Sequence, residues 1–471
     1  MRTPPLLLLA WTACAGTADP AVGAEASAVT ARGDRVLGMD VGSGPAETLD
    51  DGVAAARAAG VTTAVLNYNW NELEPAAFAY QSAKLAADNQ YYATHAMSVV
   101  LNIRPIAGPC RVVPPDLVNL AWNDPVMTTR FGYLLTWIHG YLPNVAVQVV
   151  SIGTEIDSHL APADYAAYKV FFEAARGKAK ALWGSALPVG TAVTWGALTT
   201  PGATQSAILD LDEHADRVLT TYYPIAADFT VKDPYAAPVA DIYSALAAVD
   251  GNPGTRGRTL DLIEIGYPTS ATLHSSEVNQ QIFIMTMFGI WDAYYPRITT
   301  MVVTWEVDLP ELFAEVVANG AWSGASCQPT GSVPATPTAP SLALHGGPGT
   351  GTWQYYILAG NPTGSSAPGA IATLTGGPTA LSPTSFVHLS WLPVAGATQY
   401  KVMRLTSGGQ PAQTGAIATT SATSFDDTGL AVPDFKFQEF LRTLGYRTYT
   451  APVGDKLGFL QLASEAHARG W

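Results

Sequence analysis

The sequence predicts an α/β chain, a ring of eight parallel strands alternating with helices, into which an all-β sandwich is spliced near the C-terminal end. Three observations predict it. Short apolar runs alternate with helical stretches eight times in about 270 residues, the repeat and the size of a (β/α)8 or TIM barrel. The runs Val149-Val150-Ser151-Ile152-Gly153-Thr154-Glu155 and Leu260-Asp261-Leu262-Ile263-Glu264-Ile265-Gly266 are nearly continuously apolar, as strands buried on both faces are. After residue 327 the composition shifts abruptly to Pro, Thr and Gly and then to strand-like segments. A doubly wound open sheet competes for the first part, but no Gly-rich phosphate loop follows the first strand.

The elements follow in order. Strand one, Arg35 to Val41, precedes a helix over Ala46 to Ala59. Strand two, Thr63 to Trp70, ends in Asn71-Glu72-Leu73-Glu74-Pro75, and strand three runs from Ser98 to Pro105 with Arg104 near its end. A helix over Val126 to Tyr141 leads to strand four, which delivers Glu155. Tyr165 to Ala181 is helical, Pro188 to Trp195 is strand five, and Arg217 to Pro224 is strand six, carrying Tyr222 and Tyr223. Strand seven delivers Glu264, and strand eight runs from Thr300 to Glu306 through Trp305. A short helix is expected over Leu309 to Asn319.

Composition narrows the function. The chain has 471 residues, 48% hydrophobic and 13% charged, enough for one large barrel and a smaller domain. Its net charge of −14, with no basic cluster, argues against nucleic acid or an anionic membrane as partner. The N-terminus reads as an export signal over residues 1–16, with Leu6-Leu7-Leu8-Leu9 too short to span a bilayer. Cys14 follows Trp11-Thr12-Ala13, a loose match to a bacterial lipobox, so it is a lipidation candidate. Residues 17–34 are expected to be a flexible leader. A secreted or cell-surface monomer is the expectation. Export permits a disulfide between the two remaining cysteines, Cys110 and Cys327, in the loops after strands three and eight; two unrelated thiols are the alternative. No His/Cys/Asp cluster has metal-site spacing and no Gly-x-Ser-x-Gly elbow is present, so no cofactor is expected.

Carboxylates are costly beside buried strands, and two at strand ends on the C-terminal face of a barrel point to acid/base and nucleophilic chemistry. A rim ion pair is the plainer alternative. With Glu155 on strand four and Glu264 on strand seven, the chain resembles the clan A glycoside hydrolases, the 4/7 superfamily of barrels. The resemblance spans Gly38 to about Glu306 and rests on Ser151-Ile152-Gly153-Thr154-Glu155, Thr221-Tyr222-Tyr223-Pro224, Ile263-Glu264-Ile265-Gly266-Tyr267-Pro268 and Thr304-Trp305. Its flavour is that of the endo-β-1,4-galactanases.

The resemblance implies a retaining endo-glycosidase acting on β-linked polysaccharide or oligosaccharide, with Glu155 as acid/base and Glu264 as nucleophile. Trp70, Arg104, Thr154, Tyr222, Tyr223 and Trp305 are the substrate-binding candidates, with Glu72, Asp157 and Glu306 as further cleft-lining ones. Core packing is the competing reading of the tyrosines and Trp305. Thr154 departs from the clan, which has Asn before its acid/base glutamate. A barrel that binds glycan at the cell surface without cleaving it is therefore the alternative.

The barrel is expected over 35–327, followed by a Pro/Thr/Gly linker over 328–350. Residues 351–432 resemble an immunoglobulin-like, fibronectin type III-like sandwich with its halves reversed, two degenerate modules being the alternative. Thr352-Trp353-Gln354-Tyr355 resembles its late strands, and Val387-His388-Leu389-Ser390-Trp391 and Tyr400-Lys401-Val402-Met403-Arg404 its early ones. Residues 433–471 read as a closing helical segment of the barrel, burying Phe437, Phe440, Leu441, Leu444, Phe459 and Leu462 between strand eight and the first helix. A tail packed on the sandwich is the alternative.

Overall fold

The structure is a computed structural model that describes residues 29–310, 333–361, 364–406, 415–431 and 436–471. Eight barrel strands occur in chain order: β1 (Val36–Met39), β2 (Thr63–Asn69), β3 (Ser98–Ala107), β4 (Val147–Thr154), β5, β6 (Val218–Tyr222), β7 (Leu260–Ile265) and β8 (Thr300–Val303). β5 is in two pieces: Val189–Gly190 pairs with β4 and Ala192–Thr194 pairs with β6. Thr191 joins them and donates its hydroxyl to the Ile152 carbonyl at 3.2 Å. Every neighbouring pair of barrel strands is parallel, and β1 pairs with β8, so the ring closes through β5. The structure is thus the predicted (β/α)8 barrel.

Strand periodicity explains the packing. Val65, Val100, Val149, Ala192, Leu219, Ile263 and Val302 form one layer inside the ring. Their neighbours in sequence, such as Leu66, Leu101, Val150 and Leu262, face the helices and join the large outer core. Seven helices cover that face: α1 (Leu49–Ala58), α2 (Ala83–Thr94), α3 (Pro125–Tyr141), α4 (Tyr165–Trp183), α5 (Ala203–Asp212), α6 (Ala236–Gly251) and α7 (Glu277–Ala293). Local chemistry starts several of them. Thr48 and Asp51 make a capping box on α1, and Asp124 caps α3 ahead of Pro125.

The tail adds α8 (Lys436–Thr443) and α9 (Leu457–Ala468). α9 buries Phe459, Leu462 and Ala466 and packs along α7, and the His467 Nε2 lies 2.9 Å from the Ala58 carbonyl at the end of α1. It therefore occupies the place of the eighth barrel helix. Buried charge pairs tie the tail down. Arg447 meets Glu306 at 3.0 Å and Glu47 at 2.6 Å, and Lys456 meets Asp308 at 2.6 Å, while the exposed Asp455 of the tail itself lies 2.9 Å from Arg447.

Three expectations need correction. α8 does not fill the groove between strand eight and α1. Phe440, Leu441 and Leu444 pack instead on Leu273, Tyr223 and Phe229, over the loops after β6 and β7. The reason is a docking site made by those loops: Ser270 donates to Glu439 at 2.6 Å, and Gly266 has no Cβ, which would lie 2.8 Å from Leu444. Residues 29–34 of the expected leader belong to the fold, since Arg32 N–H donates to the Arg469 carbonyl at 2.8 Å and Asp34 accepts from Tyr295 at 2.6 Å. The expected linker contains a strand, Ser341–His345, whose alternating Leu342 and Leu344 let it pair antiparallel with Phe386–Ser390. The short helix expected over 309–319 falls almost wholly outside the described residues.

The second domain is two antiparallel sheets. Ser341–His345, Phe386–Ser390 and Ser424–Asp427 form one; Gly351–Asn361, Ala372–Gly377, Gln399–Thr406 and Gly415–Thr420 are the main strands of the other. Trp353, Tyr355, Ile357, Val387, Leu389, Trp391 and Val402 fill the space between them. Inside that core Asp427 accepts from Tyr355 at 2.8 Å and pairs with Arg404 at 2.9 Å.

Candidate active site

The inner positions of the strands converge at the C-terminal mouth. Counting by twos from the inner layer brings Asp40, Arg104, Thr194, Thr221, Tyr223 and Thr304 to the mouth on β1, β3, β5, β6 and β8 or just beyond them. Glu155 and Glu264 both line one cavity there of about 530 Å³, together with Thr194, Thr221, Tyr223 and Trp305.

Each glutamate reaches the cavity through a local irregularity. β7 carries a bulge: from Thr220 to Thr221 its partner moves from Leu262 to Glu264, and from Met301 to Val303 its partner moves from Leu262 to Ile265. The extra residue lets Ile263 fill the inner layer while the adjacent Glu264 also faces inward. Strict alternation would have sent Glu264 toward the helices. On β4, Gly153 has φ +90° and Glu155 has φ +50°, so the chain passes twice through the left-handed region. A Cβ at Gly153 would sit 2.7 Å from Ile156 and 2.9 Å from the Tyr168 hydroxyl, so only glycine fits. Glu155, with a side chain, holds a conformation that costs energy, as residues at functional sites often do.

The two carboxyls have different surroundings. Thr221 donates to Glu155 Oε1 at 2.8 Å. Tyr223 donates to Glu264 Oε2 at 3.1 Å and lies 3.0 Å from the Thr304 hydroxyl. Burial raises the pKa of Glu155, and the charge of Asp157 pushes in the same direction against the Thr221 bond. Burial, then the charge of Glu155, pushes Glu264 up to about 8, opposed by the Tyr223 bond and the Arg104 charge. Two buried carboxyls that repel each other do not both ionise readily, so the pair titrates as a unit and retains a proton. Asp40 is also raised, to about 6, by burial, with Arg104, Lys84 and a hydrogen bond from Trp305 opposing.

The other candidates separate into two groups. Arg104 belongs to the site electrostatically, feeling Glu264, Glu72 and Asp40 while burial lowers its pKa; its Nε is buried without a partner. Trp305 and Tyr223 line the cavity. The Thr154 hydroxyl is buried and unpartnered. Trp70 and Tyr222 must be withdrawn as ligand contacts. Trp70 is fully buried between β2 and the helices, on Phe131 at 5.0 Å, with its indole donating to Glu74 at 2.8 Å. Tyr222, one residue out of phase with Tyr223, points outward to Trp195 and Phe283 and donates to Asp241 at 3.0 Å. Glu306 is committed to Arg447, and Asp157 accepts from the Thr194 backbone at 2.8 Å and its hydroxyl at 2.6 Å, fixing β5 to the loop after β4. Cys110 is disulfide-bonded; Cys14 and Cys327 lie outside the described residues. Sequence reasoning missed Thr221, Thr304 and Asp40 as site residues, although parity along each strand marks all three. Among the described residues no group of His, Cys, Asp and Glu could hold a metal, and no helix is long and apolar enough to cross a membrane.

No protein-family model matches the chain, and no curated protein matches it. Among solved structures it is similar to an exo-β-1,4-mannosidase from Opitutaceae bacterium strain TAV5, at 14% identity and a TM-score of 0.43 over 59% of this chain, spanning only 53% of the mannosidase. It is also similar to a GH53 catalytic domain from Ignisphaera aggregans, at 12% identity and a TM-score of 0.42 over 62% of this chain and 89% of that one. A third is an endo-1,4-β-xylanase from Penicillium canescens, at 10% identity and a TM-score of 0.42 over 58% of this chain and 82% of that one. Likenesses this loose carry no argument about function, which rests on the geometry of the mouth.

Proposed function

We propose that this protein is an exported retaining glycoside hydrolase that cleaves β-linked glycans, with Glu155 as acid/base and Glu264 as nucleophile. The observation that supports it is the meeting of two carboxyls, from β4 and β7, in one cavity with opposite electrostatic neighbours. Arg104 and the Tyr223 hydroxyl favour the anion at Glu264, while Asp157 favours the proton at Glu155. In this reading Glu264 attacks the anomeric carbon as Glu155 gives its proton to the departing oxygen. A glycosyl ester forms on Glu264. Glu155, now ionised, takes a proton from water as that water attacks the anomeric carbon, breaking its bond to the Glu264 oxygen and freeing the carboxylate. Tyr223 holds the carboxylate oriented in both steps, and Trp305 offers a ring face to the sugar.

The sandwich is read as a permuted fibronectin type III-like module inserted after β8, Cys110 as the partner of Cys327, and Cys14 as a lipidation site of the exported chain. Glycan binding without cleavage is the second reading, favoured by Thr154, whose short side chain is buried and whose hydroxyl has no partner. Release of reducing ends from galactan, mannan, xylan and β-glucans decides between them. Release that is lost in Glu264→Ala supports catalysis. Binding to one of these glycans without release supports the second reading.

A further inference from the structure

The catalytic mouth has two chemically distinct halves, divided by the line from Glu155 on β4 to Glu264 on β7. The β8–β1–β2–β3 half carries the charged groups Asp40 and Arg104, with the Arg104 Nε still unpartnered. The β5–β6 half is different. There the cavity is walled by Trp195, Ile225 and Phe229 and by Phe437, Phe440 and Leu444 from the tail. Phe229, held at φ +63°, packs on Phe437 at 4.8 Å and Phe440 at 5.7 Å. Phe229, Ile225 and Phe437 keep partial exposure, so their carbon surfaces face the cavity.

The polar side chains lining this half are already engaged. Thr194 donates to Asp157 at 2.6 Å, Thr221 to Glu155 at 2.8 Å, and Trp195 to the Asp241 carbonyl at 2.8 Å. A sugar seated here would bury hydroxyls against phenyl and alkyl groups with no side-chain donor left to meet them, at a cost for each unpaired group. An apolar group would lose nothing and would gain from leaving water. Thr221, in this half, donates to Glu155, so an oxygen protonated by Glu155 can carry its leaving group into it.

We propose that this half of the mouth is a subsite for an apolar aglycone, an alkyl or aryl group attached through the glycosidic oxygen, so that the substrate class is a β-glycoside of a hydrophobic alcohol. The proposal rests on the glycosidase reading above. The tail therefore supplies specificity as well as closure, because α8 brings Phe437 and Phe440 to the aglycone.

The test compares methyl, butyl and octyl β-glycosides of glucose, mannose, galactose and xylose, whose leaving groups are alike in chemistry and differ in apolar surface. For the accepted sugar, kcat/KM should rise at least about tenfold from methyl to octyl, since a few buried methylenes are worth that much. The octyl glycoside should also exceed the disaccharide of the same sugar. Phe437→Ser, at a half-buried position, should collapse the octyl-to-methyl ratio toward one, and Phe229→Ser gives a second reading from a different element. A flat response to chain length, or turnover of polysaccharide but of no alkyl glycoside, overturns this inference alone. Failure to hydrolyse any glycoside or polysaccharide overturns the glycosidase reading and this one with it.

Discussion

Glu264 sits where a carboxylate is least comfortable, and that discomfort has a measurable sign. Its folded pKa of about 8 lies above the ordinary value of 4.5, because burial and the neighbouring Glu155 charge outweigh Tyr223 and Arg104. A carboxyl raised on folding binds its proton more tightly in the native state, so its contribution to stability is lost as pH rises toward the folded pKa. Glu264→Gln should therefore melt higher than the wild type at pH 8, with the difference shrinking toward pH 5, where the Glu155–Glu264 pair holds its protons more fully and the two side chains repel less. Thermal scans at the two pH values check this, and an equal difference at both contradicts it. Glu155 makes a separate prediction. Glu155→Ala should lower turnover of alkyl glycosides about 10²- to 10⁴-fold, the scale of general acid catalysis. It should slow dinitrophenyl glycosides far less at the glycosylation step, because their leaving group departs without a proton. Equal losses for both, read from burst kinetics, would remove Glu155 from the acid role.

At the scale of the element, the strand count and the placing of both glutamates were legible, because nearly continuous apolar runs mark strands buried on both faces. Parity is legible too: it separates Tyr223 from Tyr222, and brings out Thr221, Thr304 and Asp40. The bulge in β7 was not legible, because strict alternation from Ile263 puts Glu264 on the wrong side and only pairing to both neighbours shows the extra residue. Nor was the site of α8. Its Phe437, Phe440, Leu441 and Leu444 have helical spacing, but spacing tells that a face is buried and not against what. Gly153 is where backbone and chemistry meet. Gly153→Ala forces a Cβ into the Tyr168 hydroxyl and Ile156 at a left-handed residue, which should displace Glu155. Activity should fall well beyond what the loss of stability explains, as measured by kcat at a temperature where the variant is fully folded by circular dichroism. Wild-type kcat would show that Glu155 is held from elsewhere.

The whole molecule is a barrel whose ring of helices is completed by residues beyond the sandwich. Arg447 is the clasp, buried among Glu306, Glu47 and Asp455. Removing it leaves Glu306 as a buried carboxyl without its cation, so Arg447→Ala should lower unfolding free energy by about 3–5 kcal/mol in denaturant titrations. A loss under about 1 kcal/mol would mean that the Arg447 ion pairs contribute little to holding the tail. In the proposed reaction Glu264 forms a bond to the sugar, and that bond can be trapped. Incubation with 2-deoxy-2-fluoro glycosides carrying a dinitrophenyl leaving group, across the gluco, galacto, manno and xylo series, followed by peptide mass spectrometry, should find for the accepted sugar one glycosyl adduct per chain on the peptide containing Glu264, absent in Glu264→Gln. An adduct on any other residue, or hydrolysis of the parent glycosides with inversion at the anomeric carbon, would show that Glu264 is not the nucleophile of a retaining reaction.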